Sequence, residues 1–532
     1  MPSSPRERGF ALVVVCAIVA IAVATVFTTA LARIAGGSTR AKATDRALAS
    51  AREALIAYAT SRPIDPVVGP GYLPCPDLDD DGWAESTCGS MTGETGQWQR
   101  LGRLPWKTLG LPDLRDGHGE RLWYAVSSKH KGLLNCTVSA ACLDMGPETA
   151  LGTITVRDSS GTVMHDGTLA DPYEPSAGGA VAIVLAPGPA LERWAGVGSA
   201  PALQDRSCEG GRCNASGHCL THPPTLTPKC DPRNYLDRSP GPAYADEDNA
   251  GFIDRNDLPG RLGNRDGFIL GPVAGPDGHI WVNDRVAVIS YDDLMPRVMR
   301  RVADEVAACL RAFGAGPANR GRLPWAAPLC RASDPEASLR FADAPGVYFG
   351  RVPDTPFAAA QQDGGASLSP LWVQGRETCA IADSAGVTAG ASGLSWWTSW
   401  KRHVFYALSP AFGPDAPTLP ACDRLTCLAS AEHAEAGIAA RQSFAVLVAG
   451  APLRRGAIRQ VRGSPADLDA RNWLEGVNAG LRLLNPNPAA PQCPAEAVAG
   501  AGSRREDALR VSTTRTFDRN DVVVTHSAER AR

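Results

Sequence analysis

One pentapeptide limits what this chain can fold into, because it occurs twice. Gly102-Arg103-Leu104-Pro105-Trp106 recurs letter for letter as Gly321-Arg322-Leu323-Pro324-Trp325. Ahead of each lies a run with helical periodicity, ending in Leu55-Ile56-Ala57-Tyr58 and in Leu310-Arg311-Ala312-Phe313. In the second run Val298, Val302, Val306 and Leu310 recur at four-residue spacing, which places them on one helix face. Behind each pentapeptide, further blocks match in the same order. Trp123-Tyr124-Ala125-Val126-Ser127 is answered by Phe405-Tyr406-Ala407-Leu408-Ser409, and the pair Cys136 and Cys142 by Cys422 and Cys427. Val181-Ala182-Ile183-Val184-Leu185-Ala186 is answered by Phe444-Ala445-Val446-Leu447-Val448-Ala449. Asn234-Tyr235-Leu236-Asp237 and Asn283-Asp284-Arg285-Val286 find counterparts in Asn472-Trp473-Leu474-Glu475 and Asn520-Asp521-Val522-Val523. Six blocks in one order read as an internal duplication.

Each copy is expected to hold a helix, a long loop and several short strands. Val181–Ala186 and Val286–Ser290 are rich in β-branched and apolar residues and bounded by Gly, Pro, Asn or Asp. An apolar helix face can be buried only against an apolar sheet face, so the fold class is α+β, with a helix across an antiparallel sheet in each unit. The units are expected at 33–291 and 292–532, the second opening at Asp292-Asp293 as a cap. Leu55 should then match Leu310, Trp106 match Trp325, Tyr124 match Tyr406 and Val184 match Leu447.

Residues 10–32, from Phe10 to Ala32, carry no charge and are almost wholly apolar. A helix of that length crosses a hydrocarbon core of about 30 Å. Arg6 and Arg8 precede it, so the N-terminus is expected to stay in the cytoplasm of a bacterium, with the chain anchored in the inner membrane and the remainder exported. Three processing readings compete: a signal peptide cut after Ala30-Leu31-Ala32, an uncleaved signal anchor, and a prepilin leader over 1–9. The periodic run continues past the membrane through Leu48, Ala51, Leu55 and Tyr58, with Arg46, Arg52 and Glu53 between them, until Pro63 ends it.

The sequence Arg6-Glu7-Arg8-Gly9-Phe10, followed at once by the apolar run, resembles the processing site of type IV pilins and type II secretion pseudopilins. The resemblance implies cleavage between Gly9 and Phe10 by a prepilin peptidase, methylation of Phe10, and a long helix whose second half packs on a sheet. It is strongest over residues 6–127, where Ala54-Leu55-Ile56-Ala57-Tyr58, Leu73-Pro74-Cys75-Pro76-Asp77, Leu104-Pro105-Trp106 and Tyr124-Ala125-Val126 look like proteobacterial pseudopilin-like proteins. Most pilins carry Glu at the fifth mature position, and here that position is Val14. The large tip pseudopilin shows the same absence, and a bulky outer part is easier to place at a tip than in a shaft. The resemblance therefore implies a minor, tip-type subunit that binds other minor pilins or pseudopilins in the inner membrane and in a filament, with its outer part periplasmic or surface-borne.

Fifteen cysteines include Cys16 inside the apolar segment, leaving fourteen beyond it. In an exported chain three close pairs read as disulfides: Cys75 with Cys88, Cys136 with Cys142, and Cys422 with Cys427. The rival zinc reading needs paired C-x2–4-C knuckles, and the gaps in Cys208–Cys213–Cys219 are too wide. Gly and Pro are abundant, as expected of a loop-rich fold. A net charge of −3 without a basic run speaks against nucleic-acid binding.

Asp77-Leu78-Asp79-Asp80-Asp81-Gly82 fits the opening of a calcium loop, in which alternate carboxylates converge on a hard cation and Gly allows the turn. The twelfth position is Cys88, so Glu85 is the substitute ligand, and Asp77, Asp79, Asp81 and Glu85 form the expected metal set. The competing reading is a solvated acidic turn pinned by Cys75 and Cys88. Calcium in a loop of the major pseudopilins adds to the first reading by resemblance. Asp246-Glu247-Asp248-Asn249-Ala250-Gly251 with Asp254 and Asp257 is a weaker echo. Trp396, Trp397 and Trp400 read as core before they read as a sugar or partner platform. Ser392 lacks the G-x-S-x-G elbow, and no H-E-x-x-H, phosphate loop or dinucleotide fingerprint occurs. The expectation is a binding and assembly subunit, not an enzyme. The alternatives are a membrane-tethered envelope hydrolase, marked by a His, Asp/Glu and Ser cluster, and an adhesive domain on a plain signal anchor.

Overall fold

The computed structural model describes residues 37–61, 70–86, 88, 100–131, 146–169, 171–194, 200–206, 231–239, 247–252, 267–276, 278–316, 319–329, 341, 343–353, 396–416, 422–423, 425–430, 441–455, 458–463, 469–485, 510–512 and 520–528. The expected leader, Gly9, Phe10 and the apolar segment 10–32 lie outside these residues. Among the described residues, no helix is long and apolar enough to cross a membrane.

Helix α1 (37–61) exposes all of residues 37–43, then buries Thr44, Ala47, Leu48, Ala51, Leu55, Ile56 and Ala59 along one stripe. That three-and-four spacing is what lets a helix lie flat on a sheet. The sheet beneath is antiparallel, in the order Leu101–Arg103, Trp123–Val126, Ala182–Ala186 and Arg285–Ile289. Strand alternation sorts its side chains into two layers. Tyr124, Val126, Ala182, Val184 and Ala186 join the core that contains Leu48 and Leu55. Trp123, Ala125, Ile183 and Leu185 face the other way, against Ile154, Val156, Tyr235, Leu236 and Phe268.

Helix α2 (Tyr291–Gly314) starts where the fourth strand ends. Its cap is Ser290, joined to Asp293 in a capping box. The expected cap at Asp292-Asp293 is thus two residues late, and these acids sit in the first turn against the positive helix end. Leu294, Val298, Val302, Val306 and Leu310 are buried. A second antiparallel sheet follows, in the order Phe349–Arg351, Val404–Leu408, Arg441–Val448 and Val522–Ser527. Both halves also carry a parallel strand pair, Thr155–Arg157 with Gly267–Ile269 and Leu428–Ser430 with Arg510–Val511. The architecture is therefore mixed helix and antiparallel sheet. One hydrophobic core runs through α1, α2 and residues of both sheets. Arg52 pairs with Asp293 at 2.5 Å and Arg297 with Glu53 at 2.9 Å across the two helices.

The identical pentapeptides do not occupy corresponding places. In the first half, Gly102 and Arg103 lie in the edge strand, opposite Tyr124 and Trp123. In the second half, the residues opposite Tyr406 and Phe405 are Gly350 and Arg351. Gly321 instead follows the helix end, where its N–H donates to Gly314 O at 2.9 Å, just as Gly71 N–H donates to Ala59 O at 2.9 Å. The two glycines adopt φ of 82° and 105°, open to glycine without strain. Tyr406 Oη donates to Pro324 O at 3.1 Å and Tyr124 Oη to Pro74 O at 3.0 Å. The counterpart of Gly321–Trp325 is thus Gly71–Cys75, and that of Gly102–Arg103 is Gly350–Arg351. Trp325 is buried against Tyr348, whereas Trp106 is only half-buried, so the expected match of Trp106 with Trp325 fails.

A second expectation moves by one residue. Tyr124 lies opposite Val184 and Tyr406 opposite Val446, so Val184 corresponds to Val446 and not to Leu447. A slip of one flips every side chain to the other sheet face. Tyr124 with Tyr406 stands as expected.

Two of the three expected bridges are present. Cys75–Cys88 and Cys422–Cys427 are disulfide-bonded, with Cα separations of 5.5 and 5.4 Å. The third expected bridge, between Cys136 and Cys142, falls on residues outside those described. Cys309 on α2 is disulfide-bonded as well, which cysteine spacing did not disclose. Trp396, Trp397 and Trp400 are all buried and belong to the core.

Candidate functional site

The acidic loop leaves the first sheet at Asp77, whose backbone N–H and C=O exchange bonds of 2.9 and 2.7 Å with Arg103. Asp77 is 1% exposed, and its carboxylate accepts from the N–H of Gly82 at 2.8 Å and of Asp81 at 3.2 Å. Those bonds curl the loop around the carboxyl group. Gly82 closes the turn at φ 90°, with the Trp106 indole where a Cβ would stand. Glu85 returns through its N–H to Pro76 O at 3.3 Å and accepts from Leu78 N–H at 3.3 Å.

This geometry brings together Asp77, Asp79 and Glu85, whose ligand atoms lie within 4.8 Å of one another. The group could hold a metal ion. Burial pushes the Asp77 carboxyl up to about 8, with Asp80, Asp79 and Asp81 adding repulsion against the bonds from Gly82. A divalent cation there would relieve that repulsion, so the donor set fits a hard, oxygen-seeking ion. Asp81 is not brought into the group, contrary to expectation. Its Oδ1 accepts from Trp83 N–H at 2.7 Å, and its carbonyl accepts from the Lys107 ammonium. Asp80 points away, to Arg121 at 2.7 Å. The loop thus departs from the calcium pattern at its fifth position. Of the echo at 246–257, the described residues 247–249 are engaged elsewhere: Glu247 pairs with Arg157 at 2.7 Å, Asp248 pairs with Arg193, and Asn249 binds Ile269 and Asp284.

A second constellation, built twice, went unmarked as a site in the sequence. Asp237 and Asp284 are buried together beside Asn249, Asn283 and Gln204. Glu475 and Asp521 are buried beside Asn478, Asn520 and Gln460 with the same donors and acceptors. The matched Asn-x-Leu-acid and Asn-Asp blocks were its signal. Next to each lies a stacked sandwich. Arg103 and Arg206 stand 4.0 and 4.8 Å from the ring of Tyr235, and Arg351 and Arg462 stand 4.6 and 4.4 Å from that of Trp473. Arg206 is held by Glu120 of its own half at 3.0 Å. Arg462 is held by Glu148, from the first half, which also lies 4.0 Å from His403.

Ser443 Oγ lies 3.2 Å from His526 Nδ1 but donates to His526 O at 3.1 Å, which engages the proton a nucleophile would surrender. Ser392 lies outside the described residues. No protein-family description, curated protein or solved structure matches this chain.

Proposed function

We propose that the chain is a membrane-anchored minor pilin-like or pseudopilin-like subunit that works by binding and assembly at a filament tip. The observation that carries the reading is α1: an amphipathic helix laid on an antiparallel sheet, exposed over 37–43, and preceded in the sequence by the uncharged segment 10–32. An apolar segment feeding a helix of this kind suits a protein whose first half-helix packs among neighbours and whose second half-helix packs on its own sheet. The halves are read as an internal duplication, supported by the paired strand orders and by the twice-built carboxyl constellation. The second copy keeps the packing half of the helix and lacks the apolar half. Val14 in place of the usual acid, and a bulky outer part, support the tip position. Asp77, Asp79 and Glu85 are read as a calcium site that stiffens the loop next to the Cys75–Cys88 bridge.

The test is processing. Co-expression with a prepilin peptidase should give a mature chain that begins at Phe10, and Gly9→Val should leave it uncut. A mature chain that begins at Arg33 would overturn the reading.

A further inference from the structure

We propose that each half of the protein is latched by one proton held between two buried carboxyl groups, Asp237 with Asp284 and Glu475 with Asp521, and that raising the pH loosens both latches. The geometry leaves one oxygen over in each pair. Asp284 Oδ2 accepts from Asp237 N–H and Asn249 Nδ2, both at 2.8 Å, while Oδ1 is buried without a hydrogen-bond partner. Asp521 repeats this: Oδ2 accepts from Glu475 N–H at 3.1 Å and Asn478 Nδ2 at 3.3 Å, and Oδ1 is again left over. The partner carboxyls are filled by neutral donors. Asp237 accepts from Asn283 N–H at 2.8 Å and Gln204 Nε2 at 3.0 Å, and Glu475 from Asn520 N–H at 3.2 Å and Gln460 Nε2 at 2.7 Å. A buried acceptor without a donor is costly, and so are two buried charges side by side. One proton per pair removes both costs.

The surrounding cations do not neutralise the pairs. Arg206 and Arg193 lie near Asp237, but Arg206 is held by Glu120 and Arg193 by Asp248. Arg462 lies near Glu475 and is held by Glu148. Arg285, next to Asp284 in the chain, pairs with Asp45 at 2.5 Å. Arg103 and Arg351 lie against the rings of Tyr235 and Trp473, and Glu247 answers Arg157. Burial holds the His403 imidazole, beside Trp473, well below its ordinary value.

Burial, together with the neighbouring carboxyl, holds Asp284 and Asp521 well above the ordinary carboxyl range. Burial likewise lifts Asp237 to about 7 and raises Glu475. A carboxyl raised on folding binds its proton more tightly folded than unfolded. The stabilisation is therefore complete below the unfolded value of about 4 and is lost as pH rises through about 7 and beyond. Each latch ties the segment around 237 or 475 to the residue that opens the last strand of its sheet, so both sheets lose a cross-link together.

The test compares full-length chains in a nonionic detergent, with tryptophan fluorescence reporting thermal unfolding between pH 4.5 and 8.5. Asp284→Asn and Asp521→Asn put an N–H donor where the proton sits. Relative to the unchanged chain, each variant should gain stability as pH rises, by up to about tenfold in the folding constant per pH unit, and the double variant by about the product. His130 and His403 shift stability in the opposite sense, but equally in every chain, so the difference is what is read. A difference that does not change with pH overturns the proposal. If the variants do not fold, infrared absorption of an Asp77→Asn chain at pH 6.5 should show two protonated carboxyls, one from each pair, and fewer than two overturns it.

Discussion

Replacing Gly350 with Ala tests the correspondence between the halves where it is least forgiving. A Cβ at Gly350 would stand 1.9 Å from Ala327 O. Carbon and carbonyl oxygen settle at about 3.3 Å or more, so the strand and its neighbour must part by roughly 1.4 Å. The two bonds that join them, Arg351 N–H to Ala327 O at 2.8 Å and Ala327 N–H to Arg351 O at 2.9 Å, do not survive that movement. Two buried bonds at about 1 kcal/mol each, with about 1–3 kcal/mol for overpacking, give a loss of about 3–5 kcal/mol. At Gly102 the same clash is milder, 2.7 Å to Asp77 O, and the expected loss is about 1–2 kcal/mol. Gly321→Ala should fail for another reason, an L residue at φ 82°, at about 1–2 kcal/mol. Urea unfolding followed by tryptophan fluorescence measures all three. A Gly350→Ala chain within about 0.5 kcal/mol of the original would refute the clash and the pairing built on it.

Tyr124→Phe and Tyr406→Phe should each cost about 1–2 kcal/mol in the same assay, since each removes a buried bond to a proline carbonyl; equal stability would deny the bonds their role. Peptide mapping of exported protein should recover Cys75–Cys88 and Cys422–Cys427 as bridged pairs and Cys309 in a bridge, and free thiols there would contradict the fold. Calcium at about a hundred times its dissociation constant should raise stability by about 2.7 kcal/mol, and Asp77→Ala should abolish the gain. A thermal shift that persists in Asp77→Ala places any bound calcium elsewhere.

Much of this architecture is legible from apolar periodicity and from matched blocks. Leu48, Ala51 and Leu55 announce the buried stripe of α1, and Val298 to Leu310 that of α2, because a helix on a sheet leaves a regular imprint. The pentapeptide misleads for a physical reason. Five identical letters say nothing of which carbonyl each residue bonds, and the pairs Tyr124–Pro74 and Tyr406–Pro324 decide the matter. Register was illegible too. Ala182–Ala186 and Phe444–Val448 are buried on both faces, so no polar residue marks which side chains face the helix. In the acidic loop, spacing located Asp77 and Asp79 but not the turn of Asp81 toward Trp83, which depends on backbone bonds formed only when the loop closes.

The choice of partner for Arg462 sets the two halves apart. Arg206 has its carboxylate within its own half, and Arg462 depends on Glu148 across the junction. The side chain of Arg462 is only 6% exposed, and without Glu148 its charge would keep only the carbonyls of Asn472 and Gly450 and the Trp473 ring for partners. The first half is therefore self-sufficient in this respect, and the second is a client of the first. A gene fragment that encodes only the second half would carry a buried guanidinium without its carboxylate into any new host protein. Recombination should accordingly keep the second half in tandem with the first.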